Sequence, residues 1–231
     1  MRGFDFKQFS IEHAEGVFKV GTDGVLLGAW VSLPATGKVL DVGVGTGLIA
    51  LMIVQRQSGL NVEGIDLNES AVALAKKNGD RTPWANRLDF QHIDFKETKG
   101  DYDLVVSNPP FFSAGNPTEK LNMSHARHQV ALGIEMLSKK AYELTGDGGE
   151  MALVLPMDEW KRQRPTILAP GWFVHRETAV CPKPSREANR VLLQFGKAHS
   201  EIAYSEMAIR DNKGDYSPEY QAITGEFYLD F

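Results

Sequence analysis

Cysteine is all but missing: Cys181 is the only one in 231 residues. An intrachain disulfide and a cysteine-rich zinc site are therefore excluded. Long apolar runs are missing too, and nothing approaches the roughly 20 residues that cross a bilayer as a helix. The opening stretch, Met1-Arg2-Gly3-Phe4-Asp5-Phe6, lacks the apolar core of a signal peptide. No internal repeat or low-complexity linker interrupts the chain. With 42% hydrophobic and 24% charged residues and a net charge of −5, disorder is not indicated. These absences predict a cytoplasmic, single-domain, monomeric globular protein with no membrane segment and no metal.

What the chain does contain is an alternation of short apolar runs and helical patterns. Strands are predicted at 39–42, 61–66, 88–93, 103–107, 151–155, 172–174 and 191–195. Helices are predicted from Thr22 or Asp23 as N-cap, from Leu48, over 69–78, over 130–144 up to Gly146-Asp147-Gly148-Gly149, and after Asp158. A further short helix starts at Ser217-Pro218, with Ser as cap and Pro at the first helical position. Strands alternating with helices call for a doubly wound parallel α/β sheet.

Charge is uneven along the chain. Between Trp160 and Lys197 eight cations face two acids, a local +6 within a total of −5. Such a face suits a phosphate backbone, although a plain solvated surface has the same composition.

Four strand ends carry chemistry in sequence. Gly43-Val44-Gly45-Thr46-Gly47 follows the first strand and opens the helix at Leu48. Its Gly-x-Gly-x-Gly spacing differs from the dinucleotide fingerprint, and no Lys-Ser or Lys-Thr follows to make a phosphate loop. Asp66 ends the second strand, where a carboxylate accepts hydrogen bonds from both hydroxyls of an adenosine ribose; the alternative is a helix N-cap. Asp94, after the third strand, is either an acceptor for an adenine amino group or an ordinary turn residue. The fourth strand runs into Ser107-Asn108-Pro109-Pro110-Phe111-Phe112. Two prolines end the ladder and stiffen the backbone just beyond the strand's carboxyl end, where open α/β sheets bind ligands.

This ordered set resembles the class I S-adenosylmethionine-dependent methyltransferases that methylate amino groups through an (Asp/Asn/Ser)-Pro-Pro-(Tyr/Phe) motif. Lys19 to Trp30, Ser107 to Pro110 and the segment from Tyr216-Ser217 to Phe227-Tyr228-Leu229 are similar to the bacterial tRNA1(Val) adenine-37 N6-methyltransferase family. The likeness covers nearly the whole chain. It departs at Phe111-Phe112, where the family carries Tyr-Tyr, and at Val44 and Thr46. The resemblance implies a Rossmann-like, mostly parallel seven-stranded sheet with an antiparallel edge strand. It implies residues 1–36 closing over the cofactor, 37–156 as the cofactor-binding and catalytic half, and 157–231 as a basic, RNA-facing half. S-adenosyl-L-methionine would be held by Lys19, Thr22, Asp23, Asp41, Gly43, Gly45, Gly47, Asp66, Leu67, Asp94 and Asn108. Asn108, Pro109, Pro110 and Phe111 would act on the target base, with Phe111 stacking on it.

The partner implied is a tRNA anticodon loop. His125, Arg127, His128, Lys183, Arg186 and Arg190 are the candidate RNA contacts, a surface cluster being the alternative for the first three. Cys181 lies near the sixth strand, away from the active edge, and is not a candidate nucleophile. Protein glutamine-N5 and ribosomal RNA guanine-N2 methylation can use the same motif, and a non-catalytic RNA-binding module can keep the fold. Only about forty residues precede the glycine loop, too few for the sizeable helical domain that glutamine methyltransferases usually carry there.

Overall fold

The structure, a computed structural model, describes residues 3–110 and 133–230. A two-stranded hairpin, β1 (Phe4–Asp5) and β2 (Ser10–Ile11), precedes helix α1 (Thr22–Trp30). Then come β3 (Gly37–Val42), α2 (Leu48–Arg56), β4 (Leu60–Asp66), α3 (Glu69–Gly79), β5 (Leu88–His92) and β6 (Tyr102–Ser107). After the undescribed segment follow α4 (Ile134–Leu144), β7 (Thr145–Pro156), α5 (Met157–Leu168), β8 (Phe173–Cys181), β9 (Arg190–Gly196), β10 (Ala203–Ala208) and α6 (Pro218–Thr224).

The main sheet has the order β10-β8-β9-β7-β6-β3-β4-β5. Its strands read as continuous apolar runs because both faces are covered. Leu26, Leu27 and Trp30 of α1, Ile49 and Ile53 of α2 and Tyr220 of α6 pack on one face. Leu137 and Ala141 of α4 with Trp160 and Ile167 of α5 pack on the other. Among the described residues no helix is long and apolar enough to cross a membrane.

The predicted fold class holds, with two differences in detail. An eighth strand, β10, pairs parallel to β8 at the edge. Its first four residues, Ala203 to Glu206, are exposed, so it carries little of the apolar signal that marks a strand. The antiparallel member, β9, is inserted between β7 and β8 and is antiparallel to both, so it is not the outermost strand. Gly146 to Gly149, expected to close a helix, lie inside the long β7. The helix cap expected at Thr22 or Asp23 is Gly21, which makes no side-chain cap; Ser217 caps α6 as predicted, accepting from Tyr220 N.

The sheet reverses its winding between β3 and β6. The chain moves outward through β4 to β5, then returns to place β6 against β3, and such a switch point opens a crevice at the carboxyl ends of the two strands. The N-terminal hairpin docks beside this crevice. Phe6 stacks on Phe9 and Tyr228, and Phe6, Phe9 and Ile11 share a buried cluster with Val25, Leu51, Met52 and Phe227. Lys7 Nζ donates to the Gly225 carbonyl, 218 positions along the chain.

Candidate active site

The crevice holds a cavity of about 700 Å³, lined by both strand ends and by the segment from Gly16 to Gly24. That volume suits a cofactor-sized ligand. Gly43 to Thr46 of the glycine loop line it, whereas Gly47, expected to meet the cofactor, is not part of its wall and packs against Ala75. Gly43, Gly45 and Gly47 have φ of 77°, 54° and 84°, all in the left-handed region, which accounts for glycine at every second position. The amides of Gly43 and Val44 donate to Ile65 O, that of Gly47 to Val44 O, and that of Gly45 to Asp66 Oδ2. These four amides are turned onto the protein itself, so they form no phosphate cradle. The loop instead offers a bare backbone surface for close approach.

Two acids brace the loop differently. Asp66, at the end of β4, accepts from Gly45 N at 3.0 Å and from Asn68 N at 2.9 Å, and it forms part of the cavity wall. Helix α3 is capped by Asn68, not by Asp66, so the carboxylate is not spent as a cap. Asp41 is 1% exposed and accepts from Ala50 N, the third amide of α2, at 3.1 Å. It lies beneath the loop and is not part of the cavity wall, against the direct cofactor contact expected of it. Its Oδ1 has no hydrogen-bond partner among the described residues. Burial pushes its carboxyl up to about 7; the Ala50 bond opposes the rise and the charge of Asp66 adds to it.

Register brings the second motif alongside the loop. Ser107 pairs with Val42, and Ser107 Oγ donates to the Val42 carbonyl at 2.8 Å. Asn108, Pro109 and Pro110 follow directly and line the same cavity. Gly24 of α1 comes close enough that a Cβ there would stand 3.9 Å from Asn108 Nδ2. Lys19, Thr22, Asp23 and Leu67 line the cavity as well. Asp94 does not. Its carboxylate accepts from Lys96 N and caps the 3-10 turn Phe95–Glu97, the turn role that was the alternative for this position, while its neighbours Ile93 and Phe95 reach the wall.

Arg190, expected to contact RNA, instead lines this cavity and donates through Nε to Asp23 Oδ2 at 2.9 Å. The pair ties the start of β9 to the start of α1. Its position was legible only if the direction of β9 was known, since an antiparallel strand begins at the edge where its neighbours end. Lys183 and Arg186 line a separate groove next to the cavity. Phe18 and Val17, not singled out from sequence, stand at the cavity mouth, with Phe18 63% exposed. Phe111, His125, Arg127 and His128 lie outside the described residues. Cys181 donates to Met207 O and takes no part in the cavity.

Residues 10–158 match the family model of the methyltransferase small domain. The chain belongs to this family. Proteins named tRNA1(Val) (adenine(37)-N6)-methyltransferase are similar over almost its full length. The one from Pectobacterium carotovorum subsp. carotovorum (strain PC1) is 37% identical over 98% of this chain and 94% of that protein. The one from Erwinia tasmaniensis is 38% identical over 98% and 95%. The small-domain methyltransferase fold is shared more widely. A structure described as a predicted O-methyltransferase from Agrobacterium tumefaciens superposes with a TM-score of 0.68 at 15% identity, covering 89% of this chain and 96% of that one. A methyltransferase from Pyrococcus furiosus gives 0.61 at 19%, covering 83% and 90%. At those identities the likeness concerns the fold alone. The family found is the one the strand-end motifs resembled.

Proposed function

We propose that the protein transfers a methyl group from S-adenosylmethionine to the exocyclic N6 of adenine 37 in the anticodon loop of tRNA1(Val). The observation that carries this reading is the Val42–Ser107 register, by which a nucleoside-type loop and an Asn-Pro-Pro turn share one cavity. The names of the relatives supply the nucleotide and the tRNA.

The residues present fit the cofactor. Asp66, whose carboxylate offers about four acceptor sites, sits in the cavity wall where ribose hydroxyls can be met. The left-handed glycines leave the loop without side chains at the points of closest approach. Bound S-adenosylmethionine supplies an electrophilic methyl group on a sulfonium sulfur. The chain's own task is to make a poor nucleophile attack. The adenine amino lone pair is delocalised into the ring. Asn108, through Oδ1, and Pro109, through its carbonyl, accept the two amino hydrogens. This favours a pyramidal nitrogen and stabilises the positive charge that develops on it. Asparagine suits the role as an uncharged acceptor, and the proline pair holds the carbonyl in place. A loop nucleotide is poorly stacked already, so drawing it out costs less than flipping it from a duplex.

The test is transfer of label from S-adenosylmethionine to total tRNA, followed by mass spectrometry of the nucleosides. Label in N6-methyladenosine is expected; label in N2-methylguanosine or in protein overturns the reading. Asn108→Ala should lower turnover by roughly 10²–10³-fold with cofactor affinity retained. Unchanged turnover would remove Asn108 from the mechanism.

A further inference from the structure

The connection between β8 and β9 and the turn after β10 rise at the same edge of the sheet as the glycine loop. β9 is antiparallel to both β7 and β8, so β8 regains the direction of β7 and of the parallel strands beyond it, and β10 shares that direction. The segments that follow Cys181 and Ala208 therefore stand over the carboxyl ends of the parallel strands.

These two segments are held together rather than loose. Ile209 N donates to Cys181 O at 2.9 Å and Arg210 N to Pro182 O at 3.0 Å. Asp211 Oδ1 accepts the amides of Lys213, Gly214 and Asp215, which fixes the turn. Arg210 lies over the Tyr216 ring at 4.4 Å and donates to Gly214 O. Between the segments runs a groove walled by Lys183, Arg186, Arg210 and Lys213, against Glu187 and Asp211. Pro182 and Asn189 line both this groove and the cofactor cavity, so one opens into the other.

Lys183, Arg186, Arg210 and Lys213 are exposed, and among the described residues none of them takes part in an ion pair within 4.0 Å. Asp211 has one carboxylate oxygen occupied by its own turn. In a chain of net charge −5, four cations on a pre-formed groove that leads out of an active-site cavity are a local inversion of sign. An acidic polymer passing over the cavity mouth supplies the complementary charge.

We propose that this groove holds the ribose-phosphate backbone of the RNA strand beside the nucleotide whose base enters at Asn108. The proposal rests on the RNA-methylating reading above. It also revises which cations take part: Arg190 is committed to Asp23 inside the cavity, while Arg210 and Lys213, outside the basic stretch in sequence, join Lys183 and Arg186. The groove meets backbone phosphates, so it positions the strand and carries no base identity.

The test compares wild type with a Lys183→Ala, Arg186→Ala, Lys213→Ala triple variant in methyl transfer to tRNA at several salt concentrations. The KM for tRNA should rise about ten-fold or more. The slope of log affinity against log salt should fall by about 2, at about 0.7 for each single-strand phosphate that is no longer neutralised. S-adenosylmethionine affinity by calorimetry should match wild type. A Lys183→Arg, Lys213→Arg variant, which keeps the charge, should retain the wild-type slope. An unchanged KM and slope in the triple variant overturn the groove as an RNA surface. Label transferred by wild type to protein and none to tRNA overturns the underlying reading instead, so the two failures are distinguishable.

Discussion

Replacing Asp41 by asparagine should make the protein more stable at alkaline pH and less able to gain stability from its cofactor. The buried carboxyl is raised from 3.8 to about 7, chiefly by desolvation. A raised acid binds more protons folded than unfolded between those two values, so stability is greatest below pH 4 and falls as pH rises towards 7. At 1.36 kcal/mol per pH unit, ionising Asp41 costs the native state about 4 kcal/mol across the whole window. The asparagine variant has no such loss. Its carbonyl can still accept from Ala50 N, but its amide nitrogen replaces one carboxylate oxygen, and an unpaired buried donor costs about 1–3 kcal/mol. The net expectation is a variant about 1–3 kcal/mol more stable than wild type at pH 8. At pH 4 it should be equal or weaker. Urea unfolding of both proteins from pH 4 to 8.5 measures the difference. Parallel profiles would refute the argument, because they would mean that Asp41 does not titrate between its two states. A ligand with a cationic centre offsets the cost of the buried charge, so S-adenosylmethionine should raise the wild-type midpoint more than that of the variant.

Two further substitutions probe the cavity walls. Gly64→Ala on β4 would put a Cβ 2.6 Å from Val44 Cγ2 and 2.7 Å from Phe90 Cδ1, so the Val44 side chain in the glycine loop and the Phe90 ring must give way. Calorimetry should show weaker cofactor binding, and denaturation a loss of about 1–3 kcal/mol. Arg190→Ala removes the tie between β9 and α1; with both side chains about a third exposed, stability should change by less than about 1 kcal/mol. Cofactor affinity should nonetheless drop several-fold, and an unchanged affinity would mean that the pair does not hold the start of α1.

The core of the site was legible because its chemistry is local in sequence. Three glycines at alternate positions need left-handed backbone, and Asn108-Pro109-Pro110 must leave a strand, whatever the surroundings. Asp66 was legible because a strand end fixes its place. Asp94 shows the limit of that logic: a strand-end acid is equally suited to cap the next turn, and here it does. Arg190 and Asp23 are 167 positions apart, and one sequence does not show which of several cations meets which acid. For the same reason the basic groove was only half visible. Its second wall comes from the Arg210–Gly214 turn, in a stretch whose acids mask the local sign. β10 was missed because a half-exposed edge strand has neither the apolar run nor the alternation that marks a strand.

The docking of Phe6, Phe9 and Lys7 against residues 225–228 also bears on the order in which the molecule is made. The segment leading to the cavity is made well before its seat on Gly225 and Phe227, which emerges more than 200 residues later. The glycine loop and the parallel strands around it can assemble while translation continues. The cover from Gly16 to Gly24 is anchored on one side by this late-formed aromatic cluster and on the other by Arg190, itself a late residue. The cover of the cavity thus depends on contacts with residues far downstream of it, and it can be seated only after they have been made.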